Sequence, residues 1–169
     1  SFNCAMDTFN DKMGVCRDFA HLMIALCRAL NIPARFVTSV DYGADPALGP
    51  TDFHAYVEAY LSGRWYIFDP TGICPTTGLM RIATGRDAND AAFATIFGNV
   101  MWSVPKISIF AHDDPGAGIT LPSPTNMAVS TAGPREGRQM MSAARAGNAL
   151  PAVLPVSSLL TELPAQHAA

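Results

Sequence analysis

Cys16, His54 and Asp69 supply, in chain order, a thiol, an imidazole and a carboxylate, each in a setting that suits nucleophilic chemistry. Cys16 stands in Gly14-Val15-Cys16-Arg17-Asp18-Phe19-Ala20-His21, where a long apolar segment begins. His54 lies in the alternating run Phe53-His54-Ala55-Tyr56-Val57-Glu58-Ala59-Tyr60, and Asp69 ends Trp65-Tyr66-Ile67-Phe68-Asp69-Pro70. A thiol attacks as its thiolate, and an unperturbed cysteine with a pKa of about 8.5 is mostly neutral at physiological pH. A helix N-terminus and a nearby imidazolium both stabilise the anion. A carboxylate behind the imidazole fixes its tautomer and orientation, and an unsatisfied amide at a helix start can donate to an oxyanion. The pattern makes Cys16 the candidate nucleophile, His54 the candidate base and acid, and Asp69 the candidate orienting group.

The elements that must position these groups are legible in the hydrophobic pattern. Phe19, Leu22, Met23, Leu26 and Leu30 recur at helical steps, predicting a helix over residues 16–30 that starts at Cys16. Ala20, Ile24, Ala25 and Ala29 fill the other faces, so a central helix is expected, ended by a left-handed Asn31 and by Pro33. Residues 35–40 read as a strand, residues 41–52 as a Gly-, Pro- and Asp-rich loop leading into His54, and Ser62-Gly63 as a tight hairpin between two strands. If those two residues form the turn, Asp69 lies opposite Tyr56 and diagonal to His54, on the same sheet face. Ala55, Val57 and Ala59 then cover the core from the other face.

Taken singly, each residue has a plainer reading: a cysteine as a small buried hydrophobe, a strand histidine as structure, and an aspartate before proline as a turn residue. Cys27 is read that way. A metal site competes, since Cys16, His21 and Cys27 are close in sequence. On one helix, however, the eleven residues from Cys16 to Cys27 span roughly 16 Å, and His21 points elsewhere, packing or hydrogen-bonding against the sheet. Asp87, Asp90, Asp113 and Asp114 lack calcium-loop spacing and read as solvated or capping carboxylates. No nucleotide, haem or flavin motif is present, and neither a cofactor nor a metal is expected.

With 169 residues, 49% hydrophobic and 15% charged, the chain can build one core, and a net charge of −3 gives no footprint for nucleic acid or an anionic membrane. No signal peptide or spanning segment is visible, so a cytoplasmic location is expected. Four irregularly spaced cysteines give no disulfide framework. Composition divides the chain into a core over residues 1–113 and a Pro-, Gly- and Ala-rich, mostly disordered tail over residues 114–169, with a possible short helix at 135–148 and an apolar patch at 153–163.

Residues 14–37, Phe53-His54-Ala55-Tyr56-Val57-Glu58, Trp65-Tyr66-Ile67-Phe68-Asp69-Pro70-Thr71, Met80-Arg81-Ile82-Ala83 and Gly85-Arg86-Asp87-Ala88-Asn89-Asp90 together resemble the core of a bacterial transglutaminase-like protein. The resemblance covers residues 11–98 and implies an α+β papain-like core, with the cysteine helix packed on an antiparallel sheet. It implies acyl transfer at a carboxamide or peptide carbonyl through a Cys16 thioester, completed by an amine or by water. A protein or peptide substrate is expected. The alternative is a noncatalytic scaffold or binding module that keeps the fold. Members of this group usually carry a β-rich region before the core, whereas Cys16 is preceded by fifteen residues, so a missing upstream region is expected. Specificity is expected in the loop 41–52, whose Asp41, Asp45 and Asp52 are read first as solvated carboxylates and second as a bias toward a cationic or amine-bearing substrate.

Overall fold

A computed structural model describes residues 3–101, 103, 105–131 and 154–155. Two helices precede the sheet: α1 (Ala5–Asp11) and α2 (Cys16–Ala29). Four strands, β1 (Ala34–Asp41), β2 (Phe53–Leu61), β3 (Arg64–Phe68) and β4 (Leu79–Gly85), form one antiparallel sheet in the order β3-β2-β1-β4. The helix-plus-antiparallel-sheet arrangement is the expected α+β papain-like core.

Helix α2 ends where its chemistry dictates. Asn31 takes a positive φ of 57°, the amide of Ile32 donates to Cys27 and that of Asn31 to Arg28, and Pro33 follows. This is the paired closure of a left-handed helix terminus. The helix is not central, however. It buries the narrow stripe Ala20 and Ile24, with Cys16, Met23 and Cys27 partly covered, against Phe36, Ala55 and Val57 of the sheet. Leu26 and Leu30, expected to be core residues, are 53% and 72% exposed. Ala20 lets the helix approach the sheet closely beside Ile24, while Ala25, Leu26, Ala29 and Leu30 stay on the outer face.

The β2–β3 hairpin has Ser62 and Gly63 as its two turn residues, at φ of 47° and 82°. Positive φ at both positions matches the twist of the flanking strands. Leu61 therefore pairs with Arg64 and Val57 with Phe68, which brings Asp69 opposite Tyr56. Strand β1 pairs Ser39 with His54, and a bulge at Thr38/Ser39 adjusts its register against β4. Both faces of β2 are buried from His54 to Ala59.

The segment assigned by composition to a tail contributes to the sheet where it is described. Ser130 bridges Tyr66, Val129 accepts from Ile67 at 2.9 Å, and Thr131 donates to Trp65 at 2.9 Å. These contacts cover the outer edge of β3, which would otherwise present unpaired backbone groups. A two-stranded ribbon joins β5 (Met127–Ala128) to β6 (Leu154–Pro155). The expected helix at 135–148 and most of the expected disordered tail and apolar patch lie outside the described residues. Among the described residues, no helix is long and apolar enough to cross a membrane.

Candidate active site

Cys16 is the first residue of α2, and the turn that delivers it is fixed from behind. The Asp18 carboxylate, 1% exposed, accepts the Val15 amide at 3.0 Å. A side chain on Gly14 would meet Asp18 Cβ at 2.8 Å, so only glycine lets this carboxylate tuck under the loop. The acidic first turn also complements the helix dipole. In the segment Gly14-Val15-Cys16-Arg17-Asp18, the outer residues therefore shape the turn that presents the thiol.

His54 and Asp69 meet as the hairpin register requires. His54 Nε2 lies 3.0 Å from Asp69 Oδ2, with the two side chains 1% and 3% exposed. Asp69 is itself pinned, because its Oδ1 accepts from the Thr71 amide at 2.9 Å and from the Thr71 hydroxyl at 2.7 Å. Thr71 had no assigned role in the sequence, although Asp-Pro-Thr is a turn in which an aspartate can hold its own backbone two residues on. With Nε2 occupied by Asp69, Nδ1 is the ring nitrogen left for Cys16, which lines the same cleft.

Electrostatics follow from this enclosure. Burial is the largest influence on His54 and disfavours its charged form. The Asp69 hydrogen bond, then the Cys16 hydrogen bond and the charges of both partners, outweigh burial and hold the ring up to about 9. For Asp69, burial would raise the carboxyl, but the His54 and Thr71 hydrogen bonds bring it below its ordinary value. The pair is therefore an imidazolium–carboxylate at neutral pH.

The other titratable candidates separate from this centre. His21 accepts the Ala88 amide at 3.2 Å on Nε2 and packs against Phe36 with ring centroids 5.0 Å apart. Burial lowers its pKa, as suits a neutral acceptor. Burial raises Cys27, and Cys74 is pushed up to about 12 by burial and then by the charges of Asp69 and Asp41. Asp87 and Asp114 cap their own turns, accepting from Asn89 and Ala117. Among the described residues, no group of three His, Cys, Asp or Glu side chains could hold a metal ion.

Glu58 was not singled out in the sequence, yet it is a fully buried carboxylate on the His54 face. Arg35 reaches it at 2.5 and 2.7 Å, Arg81 at 3.1 Å, and the Tyr56 hydroxyl at 3.4 Å. Arg35 also lies 4.1 Å above the Trp65 ring, and Trp65 pairs with Tyr60 across the hairpin. Tyr56 and Trp65 thus pack within the sheet. The Glu58 network ties β1, β2 and β4 together beside the site.

A cleft of about 550 Å³ opens over this arrangement, lined among others by Val15, Cys16, Asp41, Phe53, His54 and Thr71. A carbonyl within it would have access to the thiol, the imidazole and the start of α2. Such a site can form and break a thioester.

Residues 3–70 match the transglutaminase-like superfamily. The chain is 34% identical over 92 residues to the uncharacterized protein ML0607 of Mycobacterium leprae, covering 52% of this chain and 33% of that one. It is 35% identical over 74 residues to the uncharacterized protein YebA of Bacillus subtilis, covering 37% of this chain and 10% of that one. The crystal structure of a proposed cysteine protease from Cytophaga hutchinsonii superposes with a TM-score of 0.51 at 59% identity, over 56% of this chain and 32% of that one. The chain thus spans 33% of the first relative's length and 10% of the second's.

Proposed function

We propose that this chain, whose residues 3–70 match the transglutaminase-like superfamily, catalyses thiol-dependent acyl transfer or hydrolysis at carboxamide or peptide bonds. The observation that carries this reading is the buried His54 ring, held by Asp69 at 3.0 Å on Nε2, in the same cleft that Cys16 lines. Likeness to a proposed cysteine protease supports the same class of chemistry.

In the proposed reaction the Cys16 thiolate attacks the carbonyl carbon, forming the S–C bond and moving the π electrons onto oxygen. The amide of Cys16, at a helix start without an intrahelical acceptor, donates to that oxyanion. As the tetrahedral species collapses, the C–N bond breaks, and His54 gives its Nδ1 proton to the departing ammonia or amine. The neutral ring then takes a proton from water or from an acceptor amine, which attacks the thioester. Breaking the C–S bond releases the acid or new amide and restores the thiolate beside an imidazolium. Asp69 keeps its proton count throughout and holds the ring in place.

The test is incubation with a glutamine-containing peptide, with and without a primary amine, following ammonia release, peptide cleavage and amine incorporation. Acid-quenched protein is then analysed by mass spectrometry. The proposal expects an acyl adduct on Cys16 and no turnover in Cys16→Ala. Folded protein with no product and no Cys16 adduct would favour a noncatalytic scaffold.

A further inference from the structure

The carboxylates of the loop read in sequence as one acidic group are not equivalent. Asp45 and Asp52 are exposed, and each holds a neighbouring amide, of Ala47 at 2.9 Å and of Phe53 at 2.7 Å. Asp41 is 6% exposed, and its Oδ1 has no hydrogen-bond partner among the described residues. Leaving a buried acceptor unsatisfied is costly, and such groups call for a ligand or a functional reason.

Asp41 is also rigidly placed. It is the last residue of β1, paired with Leu79 of β4, and the next amide, of Tyr42, donates to Gly78 at 2.9 Å. Gly78 permits this approach, because a side chain there would collide with the Tyr42 carbonyl. Asp41 lines the same cleft as Cys16 and His54, and no lysine or arginine is among the described residues that line it. His54 is already committed to Asp69. The charge of Asp41 is felt at the neighbouring Cys74, whose thiol it helps to raise.

We propose that Asp41 is a specificity-determining residue that binds a cationic group, an ammonium or guanidinium, of the substrate in the Cys16 cleft. This inference rests on the acyl-transfer reading. The cation can belong to a basic side chain near the reacting amide or to an acceptor amine; both offer N–H donors and a positive charge to the Asp41 carboxylate. Asp41 takes no part in bond making and acts through substrate binding.

The test uses thiol-reactive probes that differ in charge, read at each cysteine by mass spectrometry. Cationic trimethylammonium-ethyl and anionic sulfonato-ethyl methanethiosulfonates each form a mixed disulfide and release methanesulfinate. The ratio of cationic to anionic rates at Cys16 is divided by the same ratio at exposed Cys4 and compared between wild type and Asp41→Asn. The inference expects this normalised ratio to fall by about tenfold in the variant, the scale of one charge acting across a partly solvated cleft. Neutral iodoacetamide should label Cys16 equally in both, showing that the site remains formed. An unchanged ratio with equal iodoacetamide labelling overturns the role of Asp41 while leaving the nucleophile reading intact. Cys16 inert to all three reagents in wild type overturns both. With peptide substrates, a higher KM in Asp41→Asn for lysine-bearing but not norleucine-bearing donors assigns the cation to the donor. A higher KM for cationic amines but not for hydroxylamine assigns it to the acceptor, and no change in either KM overturns the inference.

Discussion

Replacing Asp69 by Asn should collapse the charge state of His54. In the native protein the ring is held at about 9 against an ordinary value of 6.5. At about 1.4 kcal/mol per pKa unit, this difference amounts to roughly 3 kcal/mol in favour of the charged ring, shared between Asp69 and Cys16. Asn keeps an oxygen for Thr71 but removes the charge opposite Nε2, and burial then dominates, so His54 in Asp69→Asn should titrate below 6.5. The raised native value has a defined sign in stability. The His54 contribution is fully present below 6.5 and is lost as pH rises through about 9. Asp69, whose pKa is lowered, contributes above 3.8 and loses its contribution as pH falls through its depressed value. The pair therefore stabilises the fold most between 3.8 and 6.5, and Asp69→Asn should flatten both flanks. NMR titration of the imidazole resonances measures the pKa, and urea melts across the same pH range measure the linkage. A His54 that titrates near its ordinary value in wild type, or stays near 9 in the variant, would refute this reasoning.

Three further outcomes follow from other contacts. Gly14→Ala drives a methyl group against Asp18, at 2.8 Å from its Cβ, and should cost about 1–3 kcal/mol while slowing Cys16 alkylation. Asp18→Ala removes the acceptor of the Val15 amide and should cost about 1 kcal/mol in urea melts, with a smaller loss of Cys16 reactivity. Glu58→Ala leaves Arg35 and Arg81 facing a vacated buried site and should destabilise by about 3 kcal/mol, discounted because Arg81 is 43% exposed. His54 should still titrate near 9 in that variant, since Glu58 is not among the groups that set its charge.

The hairpin was the most legible part of the chain. A two-residue Ser-Gly turn and a side-chain period of two suffice to bring His54 and Asp69 to the same face, because register leaves no freedom once the turn is fixed. Cys16 at a helix start was legible from the onset of the apolar run. The inward face of α2 was not, because apolar residues occupy several faces and the choice between the Ala20–Ile24 stripe and the leucines depends on how closely the sheet approaches. The role of Glu58 was not legible, since its burial as a paired carboxylate depends on Arg35 and Arg81 from other strands. Asp41 could not be told from Asp45 and Asp52 by composition; its enclosure depends on β4, which lies far ahead in the chain. Asp18 and Thr71 sat inside quoted motifs, but their roles are backbone hydrogen bonds that need coordinates to be seen.

The central claim, that Cys16 is a nucleophile paired with His54, is tested most directly by limiting iodoacetamide labelling read by mass spectrometry. Labelling of Cys16, Cys4, Cys27 and Cys74 is compared between about pH 5 and 9 in wild type and His54→Ala, against the roughly 8.5 of an ordinary thiol. Exposed Cys4 serves as the accessible reference, while burial raises Cys27 and Cys74. The account predicts rapid Cys16 labelling at acidic pH that disappears with His54. Cys16 labelling no faster than Cys4, with the same pH dependence in both proteins, would contradict it.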